Sequence, residues 1–178
     1  TLTGAGPATA GRDSGPMLAV RMANYGKYEA DGWAHLQTLG VKYVFMNVPK
    51  PEDVPAARKK LAEHGLTPVV MRGDTDLSKD EAVEELAVQC ATCRRMGVRY
   101  MFLSPKRRGV EKEVIFAKLR QAGDAAREEG VTIALETHPD LGTNGDVHVE
   151  TMQAINHPHV RVNFDCANIT YYNKGTDA

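Results

Sequence analysis

Two acidic side chains stand at the ends of two apolar segments in the last third of the sequence. The segment VTIALETH ends its apolar run at Glu136, and the segment VRVNFDCAN ends its run at Asp165. Both segments have the pattern of buried strands, and parallel strands present their carboxyl ends on one edge of a sheet, where the active sites of such sheets lie. We therefore expect Glu136 and Asp165 to form the core of a functional site.

Each of these residues also has a purely structural interpretation. Glu136 could be a solvated strand end paired with Arg72 or Lys106, and Asp165 could cap the helix that follows it. His138 lies two residues after Glu136 and so faces the same side of the strand. It could orient a substrate or add a ligand, or it could hydrogen-bond a loop carbonyl.

A basic cluster follows the fourth predicted strand and comprises Lys106, Arg107 and Arg108. In a functional site this cluster would meet a phosphate or a sugar acid. The alternative is an exposed loop with no role in binding. We take Lys106 as the candidate from this cluster.

The elements that position these residues repeat along the chain. From Met17 onward, an apolar strand, a charged amphipathic helix and a glycine alternate. Each such glycine follows a helical segment and precedes a strand, as expected for a left-handed helix cap. The pattern predicts six strands, separated by helices over residues 28–39, 52–63, 79–96, 110–129 and 149–155, with caps at Gly40, Gly65, Gly97 and Gly130.

Strands that alternate with helices indicate a parallel sheet covered by helices, which leaves two architectures. Length favours an open doubly wound sheet, because a (β/α)8 barrel typically needs about 250 residues. The first strand, however, lacks the glycine-rich phosphate loop of most doubly wound sheets. Polar residues end every predicted strand, as around a barrel mouth: Asn24, Asn47, Arg72, Ser104, Glu136 and Asp165.

Composition limits the domain organisation and the partners. The 178 residues suit one domain, and we expect residues 1–16, which lack periodicity, to be a flexible leader before a domain at 17–178. With 25% charged residues and a net charge of -1, the sequence indicates no nucleic-acid groove and no anionic membrane surface. No apolar run approaches the roughly 18 residues of a membrane span. We therefore expect a small-molecule partner.

Cysteine usage gives an expectation about the compartment. Three cysteines do not suit a disulfide framework and fit a reducing environment, so we expect a cytoplasmic protein. The sequence begins at Thr1 rather than Met, which leaves a removed N-terminal signal as the alternative. Cys90 and Cys93 form a C-x-x-C pair inside a helical pattern with no second ligand pair, and we interpret them as core residues.

The segment ALETHPDLGTNGDVHVETMQAINHPHVRVNFDCANITYYNKGTD resembles the sugar phosphate isomerase/epimerase superfamily, the xylose-isomerase-like barrels that also include the endonuclease IV fold. In that family a Glu ends the fifth strand, an Asp ends the sixth, and both bind a divalent metal. Glu136 and Asp165 match these positions, and the order of units agrees roughly from Met17 to Asp177. The resemblance implies a (β/α)8 TIM-barrel type fold, truncated after about six βα units, that binds Mn, Mg, Co or Zn.

The same resemblance implies an activity. A metal-dependent isomerase or epimerase of this type moves a proton alpha to a carbonyl of a sugar or keto-sugar, and the ion stabilises the enediolate. Glu136 and Asp165 would be the catalytic carboxylates and the metal ligands, while His138, Asn168 and Lys106 would bind the substrate. A lyase or dehydratase acting on an oxidised sugar would use the same proton abstraction.

Two departures from the family pattern keep other hypotheses open. The family completes its metal site with a His on the seventh strand and a Glu on the eighth, and the 178 residues lack both units. In the ketose 3-epimerase branch a substrate-contacting His follows the metal-binding Asp by three residues, where this sequence has Asn168. A non-catalytic barrel fragment for ligand binding or assembly is therefore the rival. A zinc-dependent abasic-site endonuclease would need more strand-end histidines and a basic surface.

An open sheet has a further consequence. Its first and sixth strands would each leave an unpaired edge, and such edges promote pairing with another chain. We therefore expect a homo-oligomer that forms through exposed sheet edges.

Overall fold

The computed structural model describes residues 17–174, so the predicted leader lies outside the described residues. Six strands alternate with six α-helices, as the sequence pattern predicts, and short 3-10 helices at Met22–Tyr28 and Pro51–Asp53 lead into the first two. The strands are β1 Ala19–Arg21, β2 Tyr43–Asn47, β3 Thr67–Arg72, β4 Tyr100–Leu103, β5 Thr132–Glu136 and β6 Val160–Asn163. The helices are α1 Glu29–Thr38, α2 Val54–Glu63, α3 Ala82–Arg95, α4 Lys112–Glu128, α5 Gly145–Ile155 and α6 Cys166–Asn173.

The strand order decides between the two architectures. The strands form one sheet in chain order from β1 to β6, and each is parallel to the next. Because consecutive parallel strands are joined by right-handed crossovers and the order never reverses, the helices lie on one face of the sheet. A doubly wound sheet reverses its order and carries helices on both faces. The doubly wound alternative is therefore wrong, and the fold is that of six βα units of a (β/α)8 barrel.

β5 shows how the sheet divides its side chains. Ile133 and Leu135 are fully buried in the core beneath the helices. Ala134 and Glu136 point to the opposite face, because successive side chains alternate along a strand, and both are half-buried. The alternation places a carboxylate on the face that would line a barrel interior.

The ends of the helices agree with the sequence at the glycines and differ elsewhere. Gly40 and Gly65 have φ of 67° and 62°, and Gly97 and Gly130 repeat this left-handed conformation, which confirms the predicted caps. The helix predicted at 149–155 begins earlier, at Gly145, because the Asn144 side chain accepts a hydrogen bond from the Val147 N–H at 3.0 Å.

Sequence reasoning raised α6 only as a helix that Asp165 could cap, without bounds. It begins directly after Asp165, whose carboxylate caps it by accepting two backbone N–H groups. Its residues predict a helix only weakly, because the segment CANITYYN has no clear apolar stripe. Its position matters, since α6 carries Asn168 to the end of the sheet.

The C-x-x-C pair lies in the core, as the sequence predicted. Cys90 and Cys93 on α3 are fully buried and free, and burial raises the pKa of each thiol to about 12. Cys166, at the start of α6, is also free but exposed. Since the thiolate is the reactive form, the three thiols should differ sharply in reactivity.

We predict that DTNB titration of the native protein near pH 8 gives one fast thiol, Cys166, and that all three thiols react after denaturation in urea. The variant Cys166→Ser should remove the fast phase and leave the two slow thiols unchanged. A fast reaction of Cys90 or Cys93 in the folded protein would contradict the burial of this pair.

The sheet as described has two open edges. β1 and β6 each pair with a single strand in the part of the chain that the structure describes. At the β6 edge, Val162 and Phe164 are 38% and 64% exposed. Apolar side chains beside unpaired backbone groups are the conditions under which sheet edges associate.

We predict that the protein associates with itself through an edge and that Val162→Lys reduces this association, because a lysine on an edge strand opposes pairing. Val149→Lys is the matched control, since Val149 is exposed on α5 rather than on the sheet. Light scattering across a concentration series measures the effect. A monomer at every concentration, or an equal effect of both substitutions, would rule out association through this edge.

Candidate functional site

The two predicted carboxylates project from the same end of adjacent strands. Glu136 is the last residue of β5, and Asp165 follows β6 directly before α6. β5 and β6 are parallel neighbours, with Glu136 in register with Asn163. Both acidic residues are half-buried. The placement is therefore the one expected from the sequence, at the carboxyl edge of the sheet.

Asn168 connects the two carboxylates. Its backbone N–H donates to Asp165 Oδ1 at 3.0 Å, and its side-chain Nδ2 donates to Glu136 Oε1 at 3.2 Å. The same Nδ2 also donates to the Thr137 carbonyl at 3.0 Å. Asn168, predicted as a substrate contact, thus orients both acidic side chains from one position on α6.

Asp165 caps α6, which is the structural interpretation raised by its sequence. Its Oδ1 accepts the N–H groups of Ala167 and Asn168, both at 3.0 Å. Its Oδ2 accepts no hydrogen bond within residues 17–174. The helix N-terminus also favours the negative charge. Capping therefore fixes the carboxylate and leaves one oxygen available.

No basic side chain within residues 17–174 neutralises Glu136. Among the described residues neither Arg72 nor Lys106 forms an ion pair with it, so the predicted alternative of a paired strand end is not observed. Oε1 accepts from Asn168, and Oε2 has no hydrogen-bond partner in the part of the chain described. Glu136 therefore also keeps one free oxygen.

Thr137 joins the two strand ends, and the sequence interpretation overlooked it. The residue is fully buried, and its backbone N–H donates to the Asn163 carbonyl at 3.2 Å. Its Oγ1 donates to the same carbonyl at 3.3 Å and accepts the Asp165 N–H at 3.1 Å. A signal was present, because Thr137 continues the buried face of Ile133 and Leu135, where a polar residue needs partners.

His138 makes the loop contact that was one of its two interpretations. Its Nδ1 lies 2.6 Å from the Pro139 carbonyl, and its ring meets the Tyr172 ring edge-on at 5.3 Å between centroids. Its Nε2 has no protein partner among the described residues. No hydrogen bond or ion pair joins His138 to Glu136, so a role in substrate binding stays a prediction.

The basic cluster is largely paired. Arg107 Nε lies 2.6 Å from Asp140 Oδ2, and Arg108 Nε lies 3.3 Å from Asp76 Oδ1. Lys106 is exposed and makes no ion pair within residues 17–174. The two arginines thus connect neighbouring loops at this end of the sheet, and Lys106 is the member of the cluster that has no ion-pair partner among the described residues.

The free oxygens of the two carboxylates are of the type that binds a hard divalent cation. Glu136 and Asp165 each offer one free carboxylate oxygen, and such oxygens suit Mg and Mn. Within residues 17–174 no group of three or more His, Cys, Asp or Glu side chains is arranged to hold an ion. Glu136 and Asp165 are therefore a pair of candidate oxygen donors, and no third acidic, His or Cys side chain within residues 17–174 is arranged with them.

A cavity of about 610 Å³ opens elsewhere at this end of the sheet, beside α3. Its walls include Val48, Lys50, Arg72, Glu84 and Val88, and they include neither Glu136 nor Asp165. The carboxylate pair is therefore not part of this cavity.

Among the described helices, none is both long enough and apolar enough to cross a membrane.

Solved structures share this fold. The IOLI protein with a bound zinc atom matches at a TM-score of 0.67 and 20% identity, over 91% of this chain and 66% of that chain. A xylose isomerase-like TIM barrel protein from Mycobacterium smegmatis, in complex with magnesium, matches at a TM-score of 0.69 and 15% identity. The match covers 86% of this chain and 65% of that chain. D-Allulose 3-epimerase from Methylomonas sp., in complex with D-allulose, matches at a TM-score of 0.68 and 17% identity. The match covers 88% of this chain and 65% of that chain.

These identities establish a common fold and nothing finer. The chain spans less than two thirds of the length of each of these three structures. A comparison with curated proteins finds no significant match. The family model for the xylose isomerase-like TIM barrel matches residues 33–178, most of the chain. The chain also has six parallel βα units in chain order, as such a barrel requires. The match shows that the chain belongs to the xylose isomerase-like TIM barrel family.

Proposed function

We propose that Glu136 and Asp165 hold a divalent metal ion and that this chain supplies part of an isomerase or epimerase site for a sugar or keto-sugar. The observation that carries the proposal is the pairing of the two carboxylates through Asn168, with one oxygen of each left free. The zinc, magnesium and D-allulose found in structures of the same fold support it.

The chemistry divides between the ion and the side chains. When bound, a divalent ion would supply a positive charge that stabilises an enediolate. Glu136 and Asp165 would bind the ion through their free oxygens. The two N–H groups on Asp165 Oδ1 keep its carboxylate in one orientation, and the Asn168 amide does the same for Glu136.

The proton transfer needs a base beside the substrate carbon. With the free oxygens of Glu136 and Asp165 on the ion, Glu136 Oε1 would accept the proton alpha to the carbonyl once a substrate displaces the Asn168 amide from it, and would return the proton to the same or the neighbouring carbon. His138 presents an unpartnered Nε2, and Lys106 presents an unpaired ammonium group that suits a phosphate or a sugar acid. These two residues, with Asn168, are the proposed substrate contacts.

Asn168 also favours a second candidate, a barrel portion that binds a ligand without catalysis. Its amide occupies Glu136 Oε1, at a position where the ketose 3-epimerase branch has a substrate-contacting His. In that case metal and sugar would bind but no proton would exchange. Incorporation of solvent deuterium next to the sugar carbonyl distinguishes the two, because only the enzyme produces it.

We predict that Glu136→Gln and Asp165→Asn each weaken Mn²⁺ binding by about 10-fold or more and leave the fold intact. Asn is as good a helix cap as Asp, so Asp165→Asn removes the charge while α6 keeps its cap. Electron paramagnetic resonance of free Mn²⁺ measures the affinity, circular dichroism checks the fold, and sugar turnover, where the wild type shows it, should disappear.

The matched control is Glu113→Gln, which removes an exposed charge from α4. It should leave Mn²⁺ affinity within about twofold, because exposed charges interact weakly at a distance. Unchanged affinity and full turnover in either site variant would mean that the carboxylate is only a strand end or a helix cap.

We also predict weak metal retention. With two protein ligands in residues 17–174, water must fill the other positions, and the ion should leave during dialysis. Elemental analysis of the dialysed chain tests this expectation. Stoichiometric Mn, Mg, Co or Zn after dialysis would show that the ligand set of the 178-residue chain is already complete.

A further inference from the structure

His148 approaches the strand ends from the opposite side to the carboxylates. It lies on α5, is 6% exposed, and places its Nε2 3.2 Å from Thr137 Oγ1. Its Nδ1 is buried with no hydrogen-bond partner among the described residues. The alternation of side chains explains the approach, because Thr137 faces the helices while Glu136 faces away from them.

The hydrogen bonds around Thr137 determine which nitrogen of His148 carries the proton. A threonine hydroxyl can donate once and accept twice. It donates to the Asn163 carbonyl at 3.3 Å and accepts the Asp165 N–H at 3.1 Å, so its remaining position accepts a hydrogen bond. His148 must then donate from Nε2.

The other tautomer is unfavourable. It would place the proton on Nδ1, where the buried N–H would have no acceptor, and a buried unpaired donor is costly. Burial also lowers the pKa of His148, which favours the neutral ring. The neutral Nε2–H form therefore satisfies the hydroxyl of Thr137 completely.

We propose that His148 is a positioning residue for the carboxylate pair: its Nε2–H completes the hydrogen bonding of Thr137, which in turn fixes the backbone of Asp165 beside Glu136. This inference rests on the proposed metal site. His148 would touch neither the ion nor the substrate. It would act through Thr137 on the direction in which the Asp165 carboxylate points.

The packing around the ring supports a fixed position. A Cβ added to Gly142 would lie 2.5 Å from Cε1 of His148 and 3.0 Å from the Glu136 carbonyl oxygen. The ring therefore occupies space that a side chain at residue 142 would need. Thr151 Oγ1 donates to the Leu141 carbonyl at 2.8 Å, which fastens the same loop to α5.

The first test measures the tautomer directly. In long-range ¹H–¹⁵N spectra of the imidazole at pH 7, with the signals assigned by their loss in His148→Gln, we expect the neutral Nε2–H form. The Nδ1–H tautomer or a doubly protonated ring would overturn the inference. This measurement requires no metal and stands independently of the proposed function.

The second test uses three substitutions and Mn²⁺ affinity. His148→Leu removes the donor and should weaken Mn²⁺ binding by about 10-fold, the scale seen when a partner of a metal ligand is removed. His148→Gln, which can donate from its amide, should restore most of the affinity. Thr137→Val should weaken binding similarly, and adding His148→Leu to it should change little more.

A purely structural role gives a different result. In that case His148→Leu lowers the melting temperature while Mn²⁺ affinity is unchanged, and the inference fails. If the wild type itself binds no Mn²⁺, the proposed metal site fails instead. Hydrogen exchange of the Asp165 amide then still tests the contact, since it should accelerate in both His148→Leu and Thr137→Val and stay slow in His148→Gln.

Discussion

The hydrogen bonds of Thr137 connect the end of β5 to the turn between β6 and α6, and the candidate site depends on them. The backbone and hydroxyl of Thr137 both donate to Asn163, and the hydroxyl accepts the Asp165 N–H. Since the residue is fully buried, each lost bond would leave a polar group unsatisfied at a cost of about 1–3 kcal/mol. The bond from the Asp165 N–H to Thr137 holds the residue at which α6 begins, and Asp165 caps that helix start.

The arrangement brings two acidic side chains to one helix start, and no basic side chain within residues 17–174 forms an ion pair with either of them. The N-terminus of α6 stabilises the negative charge of Asp165, and a hydrogen bond from the Asn168 amide stabilises that of Glu136. Neither contact is a full positive charge, so a divalent cation between the free oxygens would lower the electrostatic free energy of the pair. Structural interpretation and functional hypothesis are therefore compatible, because the capping bonds use one oxygen and leave the other.

Sequence reasoning predicted the parts of the structure that follow from local pattern. Apolar periodicity gave six strands, glycines marked the helix ends, and the strand ends placed Glu136 and Asp165 at one edge. Chain length favoured a doubly wound sheet, but the polar strand ends and the family resemblance favoured a truncated barrel, and the strand order confirms the barrel. The contacts of Thr137 and His148 were also missed, since they join residues far apart in sequence. The basic cluster looked available because its carboxylate partners, such as Asp140, lie on other loops.

The measurement that tests the central claim most directly is paramagnetic broadening of amide signals by substoichiometric Mn²⁺. If Glu136 and Asp165 share one ion, the backbone and side-chain amide signals of Asn168 should broaden first, because this residue contacts both carboxylates. The acidic first turn of α3, with Glu84 and Glu85, serves as the comparison within the same molecule. Broadening that begins on α3, or that spreads evenly over exposed acidic residues, would contradict the account.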